Sequence, residues 1–220
     1  MGVCLFGSEG LQRRYGPGAV SGRTVMCLGN TEGLAGSDVA AVAARAVPVS
    51  GGWRLSGTKS YVTNGAVADL AVVTAVTDAE ASRSSRVSMF LVDLGSEGVR
   101  RTRLSKQVWV PSDLTRLEFQ DVLVPEDHLI GPRGRGLQQV LSVFTHSRVA
   151  IAALTLGTAA GAFDLAVKRA VKRTAFGRPI ADFQAKSFEI ADLHAGIEAA
   201  RLMLWKACWK VDRGAEFREE

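Results

Sequence analysis

The feature that most constrains the fold is a change of hydrophobic period near the middle of the chain. Over residues 24–124 the apolar residues fall in short, β-branched runs separated by turn residues, which is typical of strands. After Gly131-Pro132-Arg133-Gly134, alanine, leucine and valine recur at helical spacing over long segments. The sequence therefore predicts an α+β protein in which a mostly antiparallel β-region precedes long helices.

Seven segments of the β-region are predicted to form strands. They are residues 24–28, 39–49, 53–55, 60–63, 70–76, 87–94 and 116–124. Ser50-Gly51-Gly52 predicts a tight hairpin between the second and third, because glycine reaches positive φ at little steric cost. No helical segment separates these strands, so parallel βαβ units are not expected.

Two long helices are predicted after the turn at residues 131–134. The first covers residues 137–174 and is rich in alanine, while the second covers residues 182–212 with apolar residues at steps of three and four. We expect them to pack antiparallel. Two helices cannot bury such faces alone, so further helices are expected from additional sequence or other subunits. A short helix is also predicted at residues 8–15, capped by Ser8 and closed by Gly16-Pro17-Gly18.

Composition narrows the functional classes. No apolar run approaches the roughly 18 residues that span a bilayer, and the first ten residues lack the features of a signal peptide, so a cytoplasmic protein without a membrane span is expected. The net charge of +5 favours anionic partners, but the basic residues are dispersed without interleaved aromatic side chains, so nucleic acid is not the expected ligand. Three scattered cysteines predict neither a disulfide framework nor a metal site.

Two motifs in the β-region could contact one flat ligand. The loop at residues 31–38 contains two hydroxyls and two glycines, and such loops can bring backbone N–H groups close to a phosphate or a heterocycle. Residues 59–65 form a strand that ends in an Asn-Gly turn, and alternation places Tyr61 and Thr63 on one face. Each motif alone is also explained by an ordinary turn or an edge strand. The glycine order at residues 131–136 fits no dinucleotide fingerprint.

Taken in order, five motifs resemble the acyl-CoA dehydrogenase family. They are Thr-Glu-x-x-Ala-Gly-Ser-Asp at 31–38, Tyr-Val-Thr-Asn-Gly at 61–65, Val124-Pro125 followed by Gly134-x-Gly136, Arg148 in the long helix, and Arg-x-x-Phe-Gly-x-Pro-Ile at 173–180 with Phe183-Gln184. Gly33 stands where the family has proline, and Tyr61 where many members have tryptophan. The resemblance implies a remnant of an N-terminal helical domain at 1–23, a barrel-like middle β-domain at 24–133, and part of a C-terminal helical bundle at 134–220.

The resemblance also implies an activity and a set of site residues. The activity is FAD-dependent α,β-dehydrogenation of an acyl-CoA, or of an acyl-carrier-protein thioester, by a homo-oligomer arranged as a dimer of dimers, with an electron-transfer flavoprotein as electron acceptor. The residues that would contact FAD are Leu28, Thr31, Gly36, Ser37, Tyr61, Val62, Thr63, and, towards a neighbouring subunit, Arg173, Phe176 and Gln184. The residues that would contact the substrate are Ser37, Thr145 and Arg148. A helix arginine paired within the bundle is the alternative for Arg148.

No catalytic base is assigned from the sequence. Most members of the family place a glutamate in an Ile-Tyr-Glu-Gly-Thr-like C-terminal segment, and others place it directly before the arginine that Arg148 matches, where this chain has Ser147. The chain is therefore expected to be truncated at both ends and to lack the base by itself. A non-catalytic flavin-binding subunit that needs a partner chain stays open, as does, more remotely, a DNA-binding relative of the fold.

Overall fold

The structure, a computed structural model, describes residues 1–217. The chain divides into two compact units, the first running from Met1 to Val143 and the second beginning at Phe144. The first unit contains a mixed β-sheet with two N-terminal helices, and the second contains most of a long helix, a short hairpin and another long helix. The predicted α+β class is confirmed.

The sheet of the first unit has eight strands. They are β1 (Met26–Gly29), β2 (Arg45–Val49), β3 (Gly52–Thr63), β4 (Leu70–Val76), β5 (Val87–Asp93), β6 (Val99–Arg103), β7 (Leu114–Pro125) and β8 (Leu129–Ile130). Their order is β6-β7-β3-β2-β4-β5-β8, with β1 paired to β4. The β1–β4 and β2–β4 pairs are parallel and the other pairs are antiparallel, so the prediction of a mostly antiparallel region is confirmed.

The predicted hairpin joins β2 to β3. Val49 pairs with Gly52 across a two-residue turn, and Gly51 adopts φ +80° there. The segments predicted as separate strands at 53–55 and 60–63 belong to β3, which continues through a register shift between Leu55 and Gly57. Gly57 has φ +143°, and a Cβ on it would lie 2.5 Å from Ala44 Cβ. The glycine that interrupts the apolar pattern therefore permits a close backbone approach and does not end the strand.

One other strand prediction needs correction, and two strands were not predicted. Residues 39–49 do not form one strand, because Val39–Ala41 is a 3-10 helix and β2 begins at Arg45. Between them, the N–H groups of Ala43 and Ala44 donate to the Glu32 carboxylate instead of to a strand. The strands β6 and β8 were not predicted; β6 is an exposed edge strand with three arginines, and β8 has only two residues.

The core of the first unit lies against β3, β4, β5 and β7. Leu55, Phe90 and Leu117 are fully buried in it, and Trp53 contacts Phe90 edge to face at 5.4 Å. Every residue of β4 is buried. The helix α1 (Gly2–Phe6) lies against part of this strand, since a Cβ on Gly2 would be 3.3 Å from Val72 Cγ1.

The next N-terminal helix, α2 (Glu9–Val20), begins as predicted, with Ser8 Oγ accepting the Leu11 N–H at 3.3 Å. The predicted end at Gly16-Pro17-Gly18 is wrong, because the helix continues to Val20. Proline removes its own N–H donor but leaves its carbonyl able to accept, and Pro17 O accepts from Ser21 N at 3.1 Å.

The second unit is built mainly from α3 (Gly136–Lys172), which starts at the end of the first unit, and α4 (Gln184–Asp212). Phe163 of α3 stacks on His194 of α4 with ring centroids 5.8 Å apart. Val149, nearer the start of α3, shares a groove with Leu204, nearer the end of α4. These contacts confirm the predicted antiparallel arrangement.

The two helices leave most of their apolar surface uncovered. Within the described residues of this unit, only Ala170 and Ala207 are buried. An 18-residue window of α3 has a mean hydropathy of 1.7 with none of it buried. By length and composition α3 could cross a membrane, so the expectation that no segment is apolar enough is wrong. A helix from the interior of a bundle passes the same test, because its neighbours cover it on several sides.

We expect the exposed face of α4 to drive self-association of the chain. The variant Trp205→Glu/Trp209→Glu, which alters side chains that are 61% and 54% exposed, should shift the chain towards monomer in sedimentation velocity, since a charge at a buried interface is costly. Trp109→Glu, at a 65% exposed position of the first unit, is the matched control and should leave the distribution unchanged. A wild-type chain that stays monomeric at micromolar concentration would contradict this expectation.

Candidate functional site

The first part of the candidate site is the loop at residues 31–38, which follows β1. Reciprocal backbone hydrogen bonds between Glu32 and Ala35, at 3.0 and 3.3 Å, close the loop, and Ala35 is fully buried. Gly36 and Ser37 are exposed, and a Cβ on Gly36 would meet nothing within 4 Å. The loop therefore holds its glycine and hydroxyl on an open surface while its middle is fixed in the core.

The second part is the end of β3. A register shift against β7 lies between Lys59 and Val62, and Tyr61 adopts φ +58°. Tyr61 and Thr63 are exposed while Val62 is 2% exposed and lies in the core, as the predicted alternation requires. Val62 can therefore offer a ligand only its backbone. The Thr63 hydroxyl makes no hydrogen bond within residues 1–217.

A backbone hydrogen bond joins the two parts. Ser60 N donates to Thr31 O at 2.8 Å, so the end of β3 runs beside the start of the loop. The strand β1 is a further neighbour, since a Cβ on Gly29 would lie 3.2 Å from Lys59 Cγ. Seven of the predicted flavin-contacting residues belong to these three neighbouring segments of the first unit: Leu28, Thr31, Gly36, Ser37, Tyr61, Val62 and Thr63.

A buried ion pair lies beneath this surface. The Lys59 side chain is fully buried, and its Nζ donates to Glu32 Oε1 at 2.6 Å. It also donates to Asn30 O at 3.2 Å and Thr74 Oγ1 at 3.3 Å. Burial lowers the pKa of Lys59 to about 8, against the opposing effect of the Glu32 carboxylate. The network fixes the loop and the strand to each other through side chains as well as backbone.

Glu32 is held from the other side as well. Its carboxylate accepts the N–H groups of Ala43 at 2.7 Å and Ala44 at 3.1 Å. A buried carboxylate with one cation and two amide donors has its acceptors satisfied, which is the condition under which a buried charge is tolerated. The loop, β3 and the segment that leads into β2 are therefore joined at one residue.

The predicted residues of the second unit form two groups. Arg173, Phe176 and Gln184 are exposed around the turn between α3 and α4, and Phe176 is 96% exposed with φ +52°. Ile180 N donates to Arg173 O at 2.8 Å and holds the turn. The Arg178 guanidinium lies 4.2 Å from the Phe183 ring centroid. This turn presents an aromatic ring and basic groups on an open surface.

Thr145 and Arg148 line a groove between α3 and α4. It has a volume of about 400 Å³ and is otherwise apolar, with Val149, Met203, Leu204 and Phe217 among its walls. Arg148 is exposed, and its Nη1 lies 3.5 Å from Thr145 Oγ1, which is the outer limit of a hydrogen bond. No carboxylate is among the described residues that line the groove, and the Ser147 hydroxyl donates to Phe144 O at 2.9 Å.

Comparison with known families identifies the chain. Residues 27–122 match the model of the acyl-CoA dehydrogenase middle domain, and residues 134–220 match that of the acyl-CoA dehydrogenase C-terminal domain. The chain belongs to the acyl-CoA dehydrogenase family. Apart from Val124-Pro125, which lies between them, the two matched regions contain the motifs that carried the resemblance in the sequence.

Alignments with individual members of the acyl-CoA dehydrogenase family and with solved structures cover nearly the whole of this chain. The probable acyl-CoA dehydrogenase FadE25 of Mycobacterium tuberculosis is 34% identical over 97% of the chain and 55% of its own length. A solved structure described as electron transferring flavoprotein of Acidaminococcus fermentans has a TM-score of 0.96 at 34% identity, covering 99% of this chain and 57% of that one. The structure of PigA with FAD and proline has a TM-score of 0.92 at 30% identity, covering 98% and 56%. The chain thus spans about half the length of these relatives.

Sequence reasoning missed the residues that hold the site together. Lys59 and Glu32 lie inside the two motifs but were not assigned a role, because charged residues in strands and loops are normally solvated. A signal was available, since Lys59 lies four residues after buried Leu55 and plain alternation places both on the same side of β3, the extra residue of the first register shift being in β7. An inward lysine predicts an acidic partner nearby.

Lys59→Met should destabilise the first unit by about 3–5 kcal/mol, because Glu32 would stay buried without its cation. Lys59→Met/Glu32→Gln should be less destabilised than the single variant, since the unpaired charge is removed. Hydrogen exchange of β3 amides over a urea series measures the free energy of unfolding of this unit. Arg13→Met, which breaks the exposed Arg13–Glu9 pair, should cost less than about 1 kcal/mol. A double variant no more stable than Lys59→Met would refute the role of the pair.

The free energy of unfolding should rise with pH above about pH 8. The pKa of Lys59 falls from 10.5 to about 8 on folding, so between these values the unfolded chain binds more protons, and stability increases with pH. Relative to Lys59→Met/Glu32→Gln, the wild-type chain should gain at most about 3 kcal/mol across this window. The same exchange measurements at several pH values test this. Parallel pH profiles for the two proteins would show that Lys59 does not titrate in this way.

Proposed function

We propose that this chain forms the flavin-binding core of an FAD-dependent acyl-CoA dehydrogenase. The observation that carries the proposal is the placement of the strand end at Tyr61 and Thr63 beside the start of the glycine loop, through the bond from Ser60 N to Thr31 O. The Tyr61 ring is exposed there, and the Thr63 hydroxyl has no hydrogen bond within residues 1–217. The structure of PigA with FAD and proline, a relative with a TM-score of 0.92, supports FAD as the cofactor.

The residues of the first unit fit a flavin by their chemistry. A planar heterocycle needs a flat apolar surface, and the Tyr61 side chain is 64% exposed at the end of its strand. It needs a donor near its polar edge, which the Thr63 hydroxyl supplies. It also needs a stretch of backbone without obstructing side chains, and the open space around Gly36 provides this. The half-buried Leu28 adds apolar contact.

FAD, when bound, supplies the acceptor for the hydride that leaves the β-carbon of the substrate. Thr63 would donate a hydrogen bond to the flavin N5, where negative charge develops, and such a donor stabilises the transition state more than the ground state. Tyr61 would lie against the ring. Arg173, Phe176 and Gln184 would contact the FAD of a neighbouring subunit, where a guanidinium matches a pyrophosphate. The binding of FAD would then depend on oligomerisation, for which we propose a homotetramer.

We propose an acyl-CoA thioester as the substrate, contacted by Ser37, Thr145 and Arg148. The apolar walls of the groove at Thr145 and Arg148 suit an acyl or pantetheine chain, and Arg148 offers the one charge among its described lining residues. An electron-transfer flavoprotein is the proposed electron acceptor, which the similarity to the Acidaminococcus fermentans structure supports. We place the reaction in the cytoplasm.

A second function, flavin binding without turnover, is favoured by one observation. Dehydrogenation requires a carboxylate that removes the α-proton while hydride leaves the β-carbon. The described lining of the groove contains no carboxylate, and Ser147 stands beside Arg148 with its hydroxyl bonded to Phe144 O. A chain of this kind would hold FAD and reach activity only with a carboxylate from another segment or subunit.

The purified full chain should carry flavin, detected by its visible absorbance. Thr63→Val should weaken FAD binding by about fivefold, because one hydrogen bond of about 1 kcal/mol is lost. Thr58→Val, at another exposed position of β3, is the matched control and should bind FAD as the wild type does. A chain that folds but takes up no FAD at any concentration tested would sink the proposal.

Addition of acyl-CoA of several chain lengths to the flavin-loaded chain separates the two functions. Bleaching of the flavin absorbance would show substrate dehydrogenation by this chain. Flavin that stays oxidised would favour binding without turnover, and recovery of bleaching on addition of a carboxylate-bearing partner chain would then identify where the base resides.

A further inference from the structure

A hollow beside β2 and β5 combines two arginine side chains with a wall of small apolar residues. It has a volume of about 210 Å³. Arg45 is the first residue of β2, and Arg86 directly precedes β5. The remaining walls include Val42, Val76 and Ala79, and no carboxylate is among the described lining residues. None of the residues assigned above to the flavin or the substrate lines it.

The two guanidinium groups are not neutralised by the protein. Arg86 is fixed by Nη2, which donates to Ala40 O at 2.8 Å and Val42 O at 3.3 Å. Its Nε is buried and has no hydrogen-bond partner, and its Nη1 has none within residues 1–217. Arg45 is exposed and, over the same residues, forms neither a hydrogen bond nor an ion pair.

The donors that the described residues leave open at the hollow are Arg86 Nη1 and the Arg45 guanidinium, and a bound anion is one partner that would satisfy them. Two guanidinium groups at one hollow match the charge of a phosphate monoester, and their N–H forks match the spacing of phosphate oxygens. The apolar walls offer no side-chain acceptor that would compete. We propose that Arg45 and Arg86 form a phosphate-binding site.

The position of the hollow suggests which phosphate it holds. Arg83 forms an ion pair with Asp38, which ties the segment before Arg86 to the loop that contains Ser37. A ligand in contact with Ser37 that extends along this segment would carry its distal end to the hollow. If the proposed function is correct, that end is the phosphorylated adenosine of CoA. The site itself does not depend on that function, since inorganic phosphate offers the same chemistry.

The test is calorimetric titration of the full chain with CoA, with dephospho-CoA and with inorganic phosphate. The wild-type chain should bind CoA about tenfold more tightly than dephospho-CoA, because the latter lacks the terminal phosphate. In Arg45→Met this ratio should fall to about one, and the fold should persist because the Arg45 side chain has no hydrogen bond or ion pair to lose within residues 1–217. Arg116→Met, at an exposed arginine of β7 without a side-chain hydrogen bond over residues 1–217, should keep the wild-type ratio.

Each outcome decides a separate point. Binding of inorganic phosphate that Arg45→Met abolishes, with no preference for CoA over dephospho-CoA, would keep the site and assign it to free phosphate. An unchanged CoA ratio and unchanged phosphate binding in Arg45→Met would overturn the site. Flavin absorbance of the same samples tests the proposed function independently, because a flavin-free chain that binds phosphate through Arg45 retains the site and loses the function.

Discussion

The buried contact between Lys59 and Glu32 is the constraint on which the candidate site depends. Removing a lysine and a carboxylate from water costs several kcal/mol per ion, and only a complete set of partners offsets that cost. Here Lys59 has three oxygen partners, and Glu32 has two amide donors besides the ammonium group. Because these partners come from several segments, the pair requires the loop at 31–38, the segment before β2 and the middle of β3 to occupy one relative position. A salt bridge at the surface could not impose this.

That anchoring explains why β3 can be irregular without losing its register. The strand shifts against β7 twice, once between Leu55 and Gly57 and once between Lys59 and Val62. Between the two shifts, residues 57–59 pair in regular register with residues 117–119 of β7, and the last of them is the buried Lys59. The second shift gives Tyr61 its positive φ, a conformation that costs a bulky residue about 1 kcal/mol or more and persists only where the surroundings enforce it. Lys59, two positions before Tyr61, is fixed by its buried contacts and supplies that constraint. The buried Lys59 side chain therefore helps to set the position of the exposed Tyr61 ring.

The parts of the fold that could be predicted are those where burial alone decides the structure. The strand predicted at residues 70–76 has the bounds of β4, because β4 is buried along its whole length and its sequence is therefore a nearly continuous apolar run. The arginine-rich β6 was missed, since an edge strand is stabilised by backbone pairing and carries a polar sequence. The role of Glu32 was missed for a related reason: sequence shows a charge but not the partner that makes its burial tolerable. The motif residues were assigned through the resemblance to a family, since each motif alone is also explained by an ordinary turn or an edge strand.

The two units differ in how far their own residues bury their apolar surface, and this difference determines how firmly each unit fixes its own candidate site residues. The first unit closes a core around β3 to β5 and satisfies its buried ion pair internally, so the loop and the strand end are organised before any ligand or second subunit arrives. In the second unit only Ala170 and Ala207 are buried among the described residues. Few contacts within this unit therefore fix the positions of Arg148, Arg173 and Phe176. Preorganised groups contribute most to binding, because the conformational entropy of ordering them is lost on folding and not on binding. The residues of the first unit that are proposed to contact FAD are therefore organised by that unit, whereas the groove at Thr145 and Arg148 is not. Under the proposed function, preorganisation of the cofactor site and turnover are then separable properties of one sequence.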